Sequence, residues 1–96
     1  MRRAEVLEKL ALSKPTLVAR YGLASLALFG STVRDAARAD SDIDILVSFD
    51  GPATSERYFG VQVFLEDLLG RPVDLVTRKA LRPELRPFIE REAVHV

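Results

Sequence analysis

The segment from Ser41 to Phe49 constrains the fold more than any other part of this 96-residue sequence. From Ile43 onward, every second residue of the segment is large and apolar: Ile43, Ile45, Val47 and Phe49. The residues between them are Asp42, Asp44, Leu46 and Ser48. Because successive side chains of a strand point to opposite faces of the sheet, this alternation predicts a strand whose first set faces the core.

A helix and a second strand are expected after this segment. Thr54 or Ser55 can cap a helix that runs to about Leu69, and Gly70 is suited to end it. The apolar residues of this helix share the spacing of a buried stripe: Val61, Phe64, Leu65, Leu68 and Leu69. The apolar run from Val73 to Thr77 predicts a strand. Because the connection holds a full helix, it favours a right-handed crossover between parallel strands.

The residues before Ser41 predict one strand with helices before and after it in the sequence. A first helix covers residues 1–12, a second restarts at Ser13-Lys14-Pro15, and Gly22 ends the second. Leu23 to Phe29 predicts a strand, and its short connection to the next strand favours antiparallel pairing. Thr32 to Ala37 predicts a short helix that begins at a Gly-Ser turn.

The last residues complete the predicted architecture. Pro83 to Glu92 predicts a helix with Pro87 in or near its first turn, and Ala93 to Val96 predicts a short terminal strand. The fold class expected is α/β (α+β), with a small mixed β-sheet, flanking helices and one domain over residues 1–96.

Composition excludes several kinds of function. The sequence has no cysteine, which excludes disulfides and thiolate-held zinc, and its one histidine, His95, lies next to the end. Because 14 basic residues balance 14 acidic ones, direct binding of nucleic acid is not expected. No apolar stretch approaches the roughly 20 residues that cross a bilayer, and no signal peptide is recognised. A soluble, cytoplasmic location without membrane contact is expected.

Three aspartates are candidates for a metal site. Asp42 and Asp44 lie two residues apart on the predicted strand and therefore share a face, a spacing that suits two Mg²⁺ ions ~3.5–4 Å apart. Asp74 lies near the start of the next parallel strand and can reach the same cluster, where three carboxylates would repel without a cation. The alternatives stay open: a solvated strand edge or a turn for the first pair, and an ion pair of Asp74 with Arg71 or Arg78.

The Gly30-Ser31 turn is a candidate phosphate site. Gly30 allows positive φ and close approach of a ligand, and amides at the start of a helix favour anions. Arg34 and Arg38 would lie on one side of the predicted short helix, where they could meet a triphosphate. The alternatives are a plain strand-to-helix turn and two solvent-exposed arginines.

These motifs together resemble the minimal nucleotidyltransferase (MNT) group of the DNA polymerase β-like superfamily. The resemblance rests on Gly30-Ser31 with Arg34, on Asp40-Ser41-Asp42-Ile43-Asp44 and on Val73-Asp74-Leu75, and it covers about residues 14–96. Family members often carry an aromatic and then a small residue after Gly-Ser, and glycine after the arginine. Three residues depart from that pattern: Thr32, Val33 and Asp35.

The resemblance implies a Mg²⁺-dependent nucleotidyltransferase that uses ATP. In the family's mechanism Asp42 and Asp44 would hold two Mg²⁺ ions. Asp74 would hold the ion nearer the acceptor and act as base for its hydroxyl. Gly30 and Ser31 would grip the β- and γ-phosphates.

The resemblance also implies a partner. Many short family members resemble antitoxins of HEPN-type ribonuclease toxins, whose tyrosine they modify with AMP. A hydroxyl of a HEPN-like toxin is therefore the expected acceptor. A non-catalytic binding antitoxin with the same fold is the alternative, and the sequence is compatible with either a homo-oligomer or a hetero-oligomer.

Overall fold

The computed structural model describes residues 1–38 and 40–96. Its helices and strands follow in the order α1 (Arg3–Tyr21), β1 (Leu23–Phe29), β2 (Ile43–Phe49), α2 (Ser55–Leu69), β3 (Val73–Thr77), α3 (Arg86–Glu92) and β4 (Val94–His95). A 3-10 helix, Gly30–Thr32, follows β1, and another, Arg78–Ala80, follows β3. None of the helices in the described part of the chain is long and apolar enough to cross a membrane.

The strands form one mixed sheet in the order β3-β2-β1-β4. β2 and β3 are parallel and are joined through α2, as the long connection predicted. β1 runs antiparallel to β2 and to β4. The α+β class and the mixed sheet with flanking helices are therefore confirmed.

The two faces of the sheet differ in how they are covered. The alternating residues Ile43, Ile45 and Val47 are buried in the main core, together with apolar residues of α1 and α2. The opposite face carries a smaller core of Ala27, Phe29, Leu46 and Leu81, against which Ile89 of α3 and Ala93 pack. Because side chains alternate along a strand, Asp44 and Ser48 lie on the same face of β2 as Leu46. We call this the second face.

The predicted break at Ser13-Lys14-Pro15 is wrong, because α1 continues through Pro15. Proline in a helix interior removes one hydrogen bond and costs ~3 kcal/mol. The residues on the inner side of α1 are fully or nearly buried: Val6, Leu10, Ser13 and Leu17. Burial of an aliphatic side chain contributes ~1.5–3 kcal/mol, so this continuous stripe outweighs the proline penalty.

Glycines and a capping hydroxyl set the helix ends as predicted, but the last helix begins later than predicted. Gly22 and Gly70 adopt left-handed conformations, with φ of 68° and 66°, and end α1 and α2 as predicted. The Thr54 hydroxyl accepts a hydrogen bond from the Arg57 amide and caps α2. The last helix begins at Arg86 rather than at Pro83, because the preceding residues form a turn in which the Arg82 carbonyl accepts from the Leu85 and Arg86 amides.

Candidate active site

Two carboxyl groups meet at the start of the parallel strand pair. Asp44 of β2 and Asp74 of β3 are register partners, which places their side chains next to each other on the second face. The pKa of Asp44 is raised to about 6, first by burial and then by the proximity of the Asp74 carboxyl group, with smaller contributions from the charges of Asp42 and Glu92. Asp44 is partly buried whereas Asp74 is exposed. The pair is thus a site where a proton or a cation relieves repulsion.

Asp42 lies close to this pair but not in the strand. β2 begins at Ile43, two residues later than the predicted start at Ser41, and the Asp42 side chain is exposed. The Ile43 amide donates to the Pro72 carbonyl at 3.0 Å, next to the first pair of β2 and β3. The charge of Asp42 still reaches Asp44, since it contributes to the raised pKa of that carboxyl group.

The described residues contain no group of three or more His, Cys, Asp or Glu side chains arranged to hold one metal ion. The structure therefore brings Asp44 and Asp74 together and leaves Asp42 beside them. Arg78, one of the two arginines considered as partners of Asp74, instead binds Glu90 at 2.8 Å. The Arg71 guanidinium donates to the Ser41 carbonyl at 2.7 Å and holds the segment that leads into β2.

The Gly-Ser turn lies directly against the acidic pair. Gly30 follows Phe29, the register partner of Asp44, and has φ of +77°. A Cβ atom at Gly30 would lie 2.1 Å from Asp44 Oδ2, a distance that side chains do not tolerate. Glycine is therefore required here both for its conformation and for the close approach of a carboxylate.

The residues after this turn do not form the predicted helix from Thr32 to Ala37. The chain makes one 3-10 turn and then irregular turns, in which the Ser31 carbonyl accepts from the Arg34 and Ala36 amides. Asp35 has φ of 52°, which interrupts any helix. The expected i, i+4 alignment of Arg34 and Arg38 on one helix side is consequently wrong.

Glu92 is a site residue that the sequence reasoning missed. Its Oε1 accepts a hydrogen bond from the Gly30 amide at 2.7 Å, and its Oε2 accepts from the Arg34 guanidinium. The Arg34 side chain, expected to meet phosphate, is thus bound to a carboxylate. The signal was the terminal strand, since pairing of Val94 with Leu28 carries Glu92 to the end of β1.

Comparisons with known proteins agree with this geometry. Residues 11–96 match the family model described as a nucleotidyltransferase domain. Protein adenylyltransferase MntA of Thermococcus cleftensis is 37% identical over 92 residues, which cover 96% of this chain and 93% of that relative. A solved structure provisionally described as a minimal nucleotidyltransferase has a TM-score of 0.82 at 38% identity, covering 98% of this chain and 95% of its own.

A more distant solved structure shares the fold alone. It is a complex of a tri-AMPylated HEPN toxin of Shewanella oneidensis with an MNT antitoxin, and the matched chain is 20% identical with a TM-score of 0.59. The match covers 97% of this chain and 66% of that one.

The chain belongs to the nucleotidyltransferase domain family and is an enzyme of that class. Within the class it is a minimal nucleotidyltransferase, as the resemblance of its motifs predicted. The mixed sheet places the Gly-Ser turn and the paired aspartates of those motifs in contact.

Proposed function

We propose that this enzyme transfers AMP from ATP to a hydroxyl group of a partner protein, and that the partner is a HEPN-like toxin for which the chain serves as antitoxin. The contact of the Asp44–Asp74 pair with the Gly30 turn carries the proposal, because it joins an acidic centre to a turn suited to phosphate. The adenylyltransferase relative and the AMPylated toxin bound to an MNT antitoxin support the reaction and the class of partner. We expect the reaction to occur in the cytoplasm.

The donor set fits Mg²⁺. Oxygen atoms of carboxylates are the protein ligands that Mg²⁺ prefers, and two neighbouring carboxylates that repel each other gain from a divalent cation. Asp42, Asp44 and Asp74 would hold two Mg²⁺ ions. When bound, such ions neutralise charge on phosphate oxygens and on the leaving pyrophosphate.

The remaining groups of the site have distinct roles in this proposal. The backbone amide and hydroxyl of Ser31 donate to the β- and γ-phosphates, beside Gly30, and Arg34 and Arg38 add positive charge. Asp74 accepts the proton of the acceptor hydroxyl, a role that suits its exposed position. The hydroxyl oxygen forms a bond to the α-phosphorus while the bond to pyrophosphate breaks, and pyrophosphate leaves.

Transfer of label from [α-³²P]ATP to a co-expressed HEPN-like protein, in the presence of Mg²⁺, tests the proposal. Asp44→Asn should lower the transfer rate by at least ~100-fold, since it removes charge at the reacting phosphate. Asp67→Asn changes an exposed aspartate on the outer side of α2 and serves as the matched control. Undiminished transfer by folded Asp44→Asn would refute the assignment.

One observation favours a second function, neutralisation of the partner by contact alone. Glu92 binds the Gly30 amide and Arg34, two of the groups proposed to receive phosphate. In that case the chain would act as a non-catalytic antitoxin. A variant with Asp42, Asp44 and Asp74 all changed to Asn separates the two functions: full protection of cells against the partner supports contact alone, and lost protection supports catalysis.

A further inference from the structure

A basic cavity lies on the second face, at the opposite end of β2 and β3 from the aspartates. It has a volume of about 270 Å³ and is lined by Ser48, Arg78, Lys79 and Arg86. A smaller cavity of about 50 Å³ adjoins it and shares its first three lining residues. We call the larger one the basic pocket. Three of its four lining residues are cations and none is a carboxylate, so its walls favour an anion.

The two arginines of the basic pocket form hydrogen bonds with neighbouring residues. The Arg78 guanidinium binds Glu90 at 2.8 Å. An Arg86 guanidinium nitrogen donates to the Arg78 carbonyl at 3.4 Å, which fixes Arg86 without neutralising it. Within residues 1–38 and 40–96, neither Lys79 nor Arg86 forms an ion pair. The hydrogen bonds of the two arginines lower the entropic cost of binding a ligand, and Lys79 and Arg86 supply charge that the ion pair of Arg78 does not neutralise.

The charge is concentrated locally in a chain that is neutral overall. Residues 78–91 contain five basic residues against Glu84 and Glu90, whereas the whole chain has a formal net charge of zero. The surface is therefore polarised, with negative charge at one end of the parallel strand pair and positive charge at the other. A ligand that spans the second face must match both ends.

The distance between the two ends is set by the strand. Asp44 and Ser48 are four residues apart on the same face of β2, which corresponds to ~13 Å. An extended peptide covers this distance with about four residues. An acceptor hydroxyl at the aspartates would therefore place the fourth residue along the peptide at the basic pocket.

We infer that the basic pocket binds a carboxylate side chain of the acceptor protein, about four residues from the hydroxyl that is modified. The inference rests on the proposed function, since it names how that acceptor is recognised. A peptide fits the polarised face because it can present a neutral hydroxyl to the aspartates and a carboxylate to the cations. A nucleic acid needs cations along its whole phosphate backbone, whereas this chain has a formal net charge of zero.

Two exposed apolar side chains close in sequence to Arg86 suit a protein ligand too. Leu85 and Phe88 flank Arg86 in the sequence and are 48% and 66% exposed. They offer contacts to apolar residues that flank the acidic position of a peptide.

Binding of short peptides to the full chain tests the inference. Two probe peptides each carry a tyrosine and two glutamates, which lie four residues before the tyrosine in one peptide and four residues after it in the other. The reference peptides have glutamines in place of the glutamates. We expect a glutamate peptide to bind about tenfold more tightly than its reference, because hydrogen bonds from cations to a carboxylate are stronger than those to a neutral amide. The double variant Lys79→Gln/Arg86→Gln should abolish that difference, while Arg91→Gln, which changes an exposed cation outside the pocket, should preserve it.

The outcomes separate this inference from the proposed function. Equal binding of the glutamate and reference peptides would overturn it, and so would tighter binding of a single-stranded RNA that the double variant weakens. A glutamate preference of an unaltered chain that transfers no AMP to a HEPN-like protein would support the pocket while the proposed function fails. Thermal melting of each variant, matched to that of the unaltered chain, shows that folding is intact.

Discussion

Asp44 and Asp74 are register partners on the parallel strands β2 and β3, so their carboxyl groups lie next to each other. Two neighbouring carboxylates repel each other, so the pair is most stable with fewer than two negative charges. In a protein without bound metal, the fold therefore tightens the binding of a proton at Asp44. The same arrangement makes the pair a strong competitor for a divalent cation.

The raised pKa of Asp44 predicts how stability depends on pH in the absence of divalent cations. The folded-state pKa, about 6, lies above the unfolded value of about 4. Between these two pH values the native state retains a proton that the unfolded state has lost. The free energy of unfolding should therefore fall as pH rises from about 4 to about 6 and stay lower above it, by about 1 kcal/mol after allowance for solvent screening.

Asp44→Asn tests this pH dependence by urea unfolding in EDTA. The variant should be more stable than the unaltered chain at pH 7 and should lack this part of the slope. Equal slopes for the two proteins between about pH 4 and pH 6 would contradict the raised pKa.

Replacement of Gly30 by alanine should damage both stability and the site. The Cβ atom would meet Asp44 Oδ2 at 2.1 Å and would hold a positive φ, so we expect a loss of about 2–4 kcal/mol and weaker binding of ATP. Gly70→Ala is a matched control, because Gly70 has a similar φ of +66° but nothing within 4 Å of its Cβ position. It should cost only about 1 kcal/mol. Equal losses in urea unfolding would show that contact with Asp44 plays no part.

Glu92→Ala should destabilise the Gly-Ser turn. The side chain is 28% exposed and its carboxylate accepts from the Gly30 amide, so its loss should cost about 1 kcal/mol. Arg34→Ala should cost less than about 0.5 kcal/mol, because Arg34 is 57% exposed and solvent screens its ion pair. Chemical unfolding of both variants measures the difference. A larger loss of stability in the arginine variant would contradict the view that the hydrogen bond from the Gly30 amide to Glu92 stabilises the turn.

Thr32→Val should stabilise the protein. The Thr32 hydroxyl is buried without a hydrogen-bond partner in the described residues, and Thr32 is 2% exposed. Removing an unsatisfied polar atom at nearly constant shape should raise the free energy of unfolding by about 1 kcal/mol, or the melting temperature by about 4–8 °C. Thr54→Val should have the opposite sign, because the Thr54 hydroxyl caps α2. Calorimetry distinguishes the two, and destabilisation by Thr32→Val would contradict the prediction.

Local patterns were sufficient for most of the sheet and for α2. The alternation around Ile45, the glycine after Leu69 and the length of the connection to Val73 each act over short stretches, and together they determine the parallel pair that holds Asp44 and Asp74. The juxtaposition of those aspartates follows from register alone, which explains why it could be anticipated.

The features that sequence reasoning missed depend on contacts between distant residues. Glu92 reaches Gly30 only because β4 pairs with β1, and two residues of strand give a weak signal for that pairing. The continuity of α1 through Pro15 depends on burial of residues on both sides of the proline. Asp35 adopts a left-handed conformation that is typical of glycine, so its residue type does not predict it.

A crystal soaked with Mn²⁺ and a non-hydrolysable ATP analogue tests the central claim most directly. The account predicts anomalous density for Mn²⁺ at about 2.1 Å from carboxylate oxygens of Asp44 and Asp74, with phosphates on the Gly30 turn and Glu92 displaced from Arg34. A nucleotide bound elsewhere, or aspartates without metal while Glu92 still holds the Gly30 amide, would contradict it.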